Sequence, residues 1–342
     1  MRRHLILSAL LLAVPAMEAG AVTIEEFDLP NPHGVVTSLT RGPDSRMWFI
    51  EYDYSAFKAW LGRIDADGTN VVEYPISYNA GPNTIAHIEG DDSIWFTETS
   101  ANVLGRSDVN GNIIYSPLPM GASGPVGIAS GIGLKLVFTM SSGNAIGTVN
   151  SDFSAVHVDT FSIPTGSANA LRVTTGTTFG QYWFTEQGAS KVARMSPAGD
   201  IVEFPVPTPG TYPLGIAPGN TGRFWFTERT GNALGEIIDD GDLSTIIEHP
   251  LPAGSGPFEI ALGPDNHVWF AEVDSGKLGV VANINGPIIE FTIPNALTNR
   301  HPAAIARGIG QTLWFGEFAG GRIGRISDLN TIDPVFAAGF ER

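Results

Sequence analysis

Two sets of side chains recur at fixed places along this chain, and both could do chemistry. Six glutamates, Glu51, Glu98, Glu186, Glu228, Glu272 and Glu317, each close a four-residue phrase that begins Trp-Phe, and Met140 ends the seventh, more divergent phrase. Carboxylates gathered in a ring would supply the hard oxygen ligands that magnesium or calcium prefers. The second set opens a short apolar run in each unit, mostly just after a proline: His33, Asn83, Val126, Asn169, Leu214, Phe258 and Ala303. It divides into a polar arc (His33, Asn83, Asn169) and an apolar arc (Leu214, Phe258, Ala303). An apolar wall facing a few polar groups is what a small-molecule site requires. The glutamates carry a second reading. A Glu repeated in nearly every unit can equally accept hydrogen bonds that stitch unit to unit, with Arg63, Arg106, Arg194 and Arg325 as available donors.

The elements that must position these residues follow from the repeat. The Trp-Phe phrase recurs at spacings of 47, 42, 46, 42, 44 and 45 residues. Those periods match a four-stranded propeller blade, whose small sheet cannot bury both faces unless like units stack on either side. Within each unit a Gly/Pro-led inner strand is followed by a turn such as Gly42-Pro43-Asp44, then by the strand ending in the Trp-Phe phrase. A third strand reads Leu61-Gly62-Arg63-Ile64 or Ile323-Gly324-Arg325-Ile326. A fourth alternates apolar and polar residues and ends in proline, as in Val202-Glu203-Phe204-Pro205. The last unit lacks the fourth phrase, and Ile24-Glu25-Glu26-Phe27-Asp28-Leu29-Pro30 supplies a copy of it. The expected fold is therefore all-β: a seven-bladed β-propeller of four-stranded blades, its ring closed by the N-terminal strand. The repeated Trp and Phe are expected to fill the wedges between blades.

The repeat occupies residues 22–330 as one domain. Arg2, Arg3 and His4 precede a 13-residue apolar run, Leu5 to Met17, and Ala19-Gly20-Ala21 offers a small-x-small cleavage site, so residues 1–21 read as a signal peptide. Residues 331–342 form a C-terminal tail outside the repeat. Export to the periplasm or the medium is expected, with no membrane span and a monomeric chain. The chain has no cysteine, which excludes thiolate metal sites and cysteine nucleophiles. A formal net charge of −16 speaks against phosphate backbones and anionic lipid, so nucleic acid is not an expected partner.

Taken together, Gly124-Pro125-Val126-Gly127-Ile128, Trp95-Phe96-Thr97-Glu98, Ile323-Gly324-Arg325-Ile326 and Val202-Glu203-Phe204-Pro205 resemble the repeat of the virginiamycin B lyases, also called streptogramin lyases. The resemblance covers about residues 24 to 327. It implies a seven-bladed propeller whose best-known members open a cyclic depsipeptide antibiotic by magnesium-assisted elimination at an ester. It also implies histidines just after the opening prolines of blades six and seven. The matching phrases here are Gly256-Pro257-Phe258-Glu259 and His301-Pro302-Ala303-Ala304, so both histidines are missing. Glu317 matches the family's rim glutamate at the magnesium site and, with Glu272 of the same ring, is the expected metal ligand; His301 stands where the family has another metal-site Glu, and His33 replaces a Tyr of the first blade.

A general base must reach the proton it removes, so lyase chemistry here would need His33 or His301 to act from a neighbouring position. His87, His157, His249 and His267 read as structural or solvated. Neither a Gly-x-Ser-x-Gly elbow nor a His-Glu-x-x-His pair occurs. The expectation is an exported propeller whose axial rim binds a small or peptide-like ligand without turnover, needing no organic cofactor. The alternative is a magnesium-assisted carbon–oxygen lyase.

Overall fold

The computed structural model describes residues 22–77, 81–119, 123–151, 158–176, 180–219, 222–241, 244–281, 288–294, 301–318 and 320–329. The expected signal peptide, the C-terminal tail and His157 lie outside the described residues. Twenty-eight strands occur among the described residues, and they form seven antiparallel sheets of four. Blade one, for example, runs outward from Val35–Arg41 through Met47–Asp53 and Lys58–Ile64 to Val72–Pro75. The inner strands of consecutive blades lie side by side, and that of blade seven lies beside that of blade one. The ring is closed as expected. Thr23–Asp28 pairs antiparallel with Arg322–Ser327 and becomes the outer strand of blade seven. No helix among the described residues is long and apolar enough to cross a membrane.

Strand alternation explains why Trp and Phe sit next to each other in the repeated phrase. Neighbouring residues of a strand point to opposite faces, so each second strand sends its Trp toward one neighbouring blade and its Phe toward the other. Trp48 packs in one cluster with Phe96 of the next blade, Trp95 with Phe138, Trp183 with Phe226, Trp225 with Phe270, Trp269 with Phe315, and Trp314 with Phe49. At the remaining junction Val137 takes the place of Trp beside Phe184.

The Phe also accounts for the glycine of the third strand. Its ring lies flat across the sheet, and a Cβ at Gly105 would sit 2.1 Å from Phe96. On the Trp side, the Asp of the turn accepts the indole N–H, at 2.9 Å from Trp48 to Asp44 and 3.0 Å from Trp95 to Asp91.

The arginines expected to serve the glutamates do something else. Arg63, Arg106, Arg194 and Arg325 lie over Trp48, Trp95, Trp183 and Trp314, with guanidinium carbons 5.5–5.9 Å from the ring centroids. Among the described residues, Arg63 donates to the carbonyl of Val109 in the next blade, Arg194 to Asp239, and Arg325 to the carbonyl of Ala66.

A second set of clips runs near the axis. Every inner strand carries a bulge just after the residue that pairs with the last residue of the Trp-Phe phrase. The Thr of the Trp-Phe-Thr phrase fills it. Thr185 Oγ1 accepts the N–H of Arg172 in its own blade and donates to the carbonyl of Leu214 in the next, at 2.7 Å. Thr97, Thr139 and Thr227 donate in the same way to the carbonyls of Val126, Leu171 and Phe258. Blades one, six and seven have Ile50, Ala271 and Gly316 at this position. The absence of a side chain at Gly316 lets Val36 of blade one approach, since a Cβ there would lie 2.4 Å from Val36 Cγ1.

Two outcomes are expected. A chain starting at residue 33 lacks the closing strand and should melt lower by roughly 10 °C or more, because it exposes the edge and face of blade seven. An unchanged melting curve would contradict closure. Thr185→Val should cost roughly 1–3 kcal/mol in urea unfolding, since it leaves a buried N–H and a buried carbonyl without partners.

Candidate functional site

Register decides which side chains face the axis. Pro82, Pro125, Pro213, Pro257 and Pro302 pair with Glu98, Met140, Glu228, Glu272 and Glu317, while Val36 pairs with Glu51 and Ala170 with Glu186. The next residue along each inner strand is therefore Thr37, Asn83, Val126, Leu171, Leu214, Phe258 or Ala303. All seven line one axial cavity of about 230 Å³.

Of the residues expected at this position, Asn83, Leu214, Phe258 and Ala303 are brought together, and His33 and Asn169 are not. His33 is exposed in a turn four residues before Thr37, its N–H donating to Asn31 Oδ1 at 3.1 Å. Asn169 lies two residues before Leu171, in a left-handed conformation with φ 49°, and donates to Gln187 Oε1. Proline misled the alignment because blades one and four open on Val36 and Ala170. Counting back five residues from the glycine after the inner strand, Gly42, Gly131, Gly176, Gly219, Gly263 or Gly308, finds the right residue in six blades.

The position after the lining residue holds small side chains in five blades, from Ser38 to Ala304, but Arg172 in blade four and Glu259 in blade six. These two reach across the channel. Arg172 Nε lies 2.5 Å from Glu259 Oε1, and Nη1 donates to Asn83 Oδ1 of blade two at 3.1 Å. Three non-adjacent blades are thus tied together at the floor of the cavity, by residues that the proline-based reading passed over.

At the mouth, Tyr54 and Phe318 also border the cavity. They are 55% and 43% exposed with ring centroids 6.4 Å apart. Tyr54 stands forward because strand pairing in blade one continues past Glu51 to Asp53 and Lys58. The 47-residue first spacing, the longest of the six, is the sequence trace of that longer hairpin.

The ring glutamates stand just outside this lining, and all six are fully buried. Among the described residues, neither carboxylate oxygen of Glu51, Glu98, Glu186 or Glu228 makes a hydrogen bond that meets ordinary geometry. Burial pushes Glu98 and Glu228 up to about 7. Burial, then the charge of Glu203, lifts Glu186 to about 8; burial, then the charge of Glu73, lifts Glu51 to about 9. Burial also raises Glu272, whose Oε2 accepts from Ser275 at 2.6 Å. Lys191 and Lys277 stand opposite Glu186 and Glu272 in the register and bind Glu203 and Glu290.

Glu317 and Glu272, the expected metal ligands, thus lie one per blade inside the sheets. Among the described residues no three His, Asp or Glu side chains gather as the ligands of one ion would. His301 is half-buried immediately before the lining strand of blade seven. Its carbonyl accepts from Phe318 N–H at 2.7 Å, and its Nδ1 is buried without a hydrogen-bond partner among the described residues. Away from the cavity, His87 contacts the carbonyl of Asp91, His249 contacts Glu236 and His267 contacts Asp265.

Comparison with known proteins agrees with the blade pattern. The sequence profile of the virginiamycin B lyase family matches residues 17–201 and 135–336. Virginiamycin B lyase of Nocardia farcinica (strain IFM 10152) is 29% identical over 239 residues, 69% of this chain and 76% of that protein. A crystal structure of a catalytically inactive histidine-to-alanine variant of virginiamycin B lyase from Staphylococcus aureus with quinupristin is 29% identical. It covers 90% of this chain and 99% of its own, at a TM-score of 0.79. A streptogramin B lyase structure is 28% identical, covering 90% and 97%, at 0.78.

The buried glutamates set the pH dependence of stability. Glu51, Glu98, Glu186, Glu228 and Glu272 hold their protons more tightly in the folded chain than in the unfolded one, where a glutamate pKa is about 4.3. The folded state therefore binds more protons above that value, and stability falls as pH rises. The melting temperature should decline between pH 5 and pH 9, most steeply between about pH 5 and pH 7, where these carboxyls are protonated in the folded chain alone, and Glu98→Gln should flatten part of the decline. A flat or rising profile would contradict the buried neutral carboxyls.

Proposed function

The chain belongs to the virginiamycin B lyase family, and we propose that it uses the axial cavity to bind a small or peptide-like ligand without carrying out that family's lyase chemistry. The observation that carries this reading is the cavity lining. Phe258 and Ala303, which match the positions where the family resemblance implies histidines, both line the cavity, and neither can take up a proton. Around them Val126, Leu171 and Leu214 supply apolar wall, Tyr54 and Phe318 an aromatic mouth, and Asn83, Thr37 and Arg172 the polar groups that orient a ligand. Export of the chain, on the strength of residues 1–21, and a monomeric state belong to the same proposal.

One observation favours a second reading. The buried Nδ1 of His301, without a hydrogen-bond partner among the described residues, lies on the residue just before the strand that carries Ala303. A carbon–oxygen lyase built on this chain would use His301, or the exposed His33, as base, and would draw on Glu317 and Glu272 for a magnesium or calcium ion.

Streptogramin B antibiotics separate the two. Without a base at the proton to be removed, roughly 10²- to 10⁴-fold of rate is lost even where the substrate binds. The purified protein with magnesium should leave such a drug intact on the timescale at which the family opens it. Liquid chromatography with mass spectrometry detects opening as a product of the same mass with a new retention time and fragmentation. Robust magnesium-dependent opening that disappears in His301→Ala or His33→Ala would establish the lyase reading instead.

A further inference from the structure

We propose that Arg172 reads the polar end of the ligand in the axial cavity, and that Glu259 sets its charge class, favouring an uncharged hydrogen-bond acceptor over a carboxylate. This rests on the cavity being the binding site. Arg172 lines the cavity and Glu259 adjoins it, and their side chains are only 14% and 16% exposed, so their interaction is poorly screened by water. A guanidinium presents five N–H donors in a fixed plane. Glu259 engages Nε and Asn83 engages one N–H of Nη1, so donors remain for a ligand among the described residues. Asn83 accepts from Arg172 through Oδ1, which fixes its amide and leaves the Nδ2 group as a further donor.

The cavity floor is thus rich in donors and yet neutral, because Arg172, the one cation among the described residues that line the cavity, carries its own carboxylate at 2.5 Å. A ligand carbonyl, amide or ester oxygen can accept from these donors with the ion pair intact. A carboxylate would have to displace Glu259 or sit beside it, and like-charge juxtaposition in a desolvated site is unfavourable. The chain's net charge of −16 adds to that bias. Discrimination of this kind comes from the repelling group as much as from the attracting one.

The test uses matched probes on the protein lacking residues 1–21: N-acetyl-L-phenylalanine amide against N-acetyl-L-phenylalanine, and phenylacetamide against phenylacetate, with affinities from calorimetry or NMR titration at pH 7. The amides should bind at least about tenfold more tightly than the acids. Glu259→Gln keeps the shape and removes the charge, and should abolish or reverse that preference. Arg172→Met should weaken amide binding by about tenfold or more. Should Arg172→Met fail to fold, the near-isosteric Glu259→Gln decides alone. Acids binding as well as amides, or an unchanged ratio in Glu259→Gln, would overturn the charge selection and leave the cavity as a binding site. Binding of none of the four probes would overturn both.

Discussion

The structure depends on a pairing that no blade can make alone: the Trp on one face of a blade must meet the Phe on the facing side of the next. A four-stranded sheet with two apolar faces is unstable in water unless both are covered. The adjacent Trp and Phe divide that task between the two faces by strand alternation. Six junctions join Trp to Phe and the seventh joins Val137 to Phe184. Other features of the blade follow from this contact. The third-strand glycine leaves room for the Phe ring, the turn Asp takes the indole N–H, and the arginine covers the Trp face while reaching the next blade. Ring closure by Thr23–Asp28 is the same requirement applied to the last sheet.

Once the wedge contacts are fixed, the axis is assembled by hydrogen bonds. The threonine clips connect blades two to six in sequence, holding the carbonyls of Val126, Leu171, Leu214 and Phe258, four of the residues that wall the cavity. Beneath them the Arg172, Glu259 and Asn83 contacts join blades four, six and two across the channel. The cavity is therefore supported from its walls and its floor, which suits a site that must hold its shape before a ligand arrives. The arc from blade six through blade one has no threonine clip, and it carries the exposed Tyr54 and Phe318 at the mouth. The glutamates are a different feature of the same rim. They are fully buried, and burial itself raises the affinity of several for protons.

The fold was legible in the sequence because packing repeats. Identical demands at every junction put the same residue types at the same places, so the Trp-Phe phrase, the Leu-Gly-Arg phrase and the missing fourth strand of the last unit specified blade number, strand order and closure. The site was legible only where the repeat held. Asn83, Leu214, Phe258 and Ala303 were placed by their prolines, while blades one and four, which open on Val36 and Ala170, put Thr37 and Leu171 where His33 and Asn169 had been expected.

What only the tertiary structure decided is what happens between residues that no repeat relates. Arg172 and Glu259 are 87 positions apart and belong to blades that do not touch. Only closing the ring brings their side chains together over the axis. The arginines of the third strands, chemically suited to the ring glutamates, lie on the tryptophans, because side-chain direction and register place them there. Local sequence specifies which face a side chain takes along its own strand. Partners across a channel are set by the curvature of the whole ring, which is a property of seven blades together and of none of them singly.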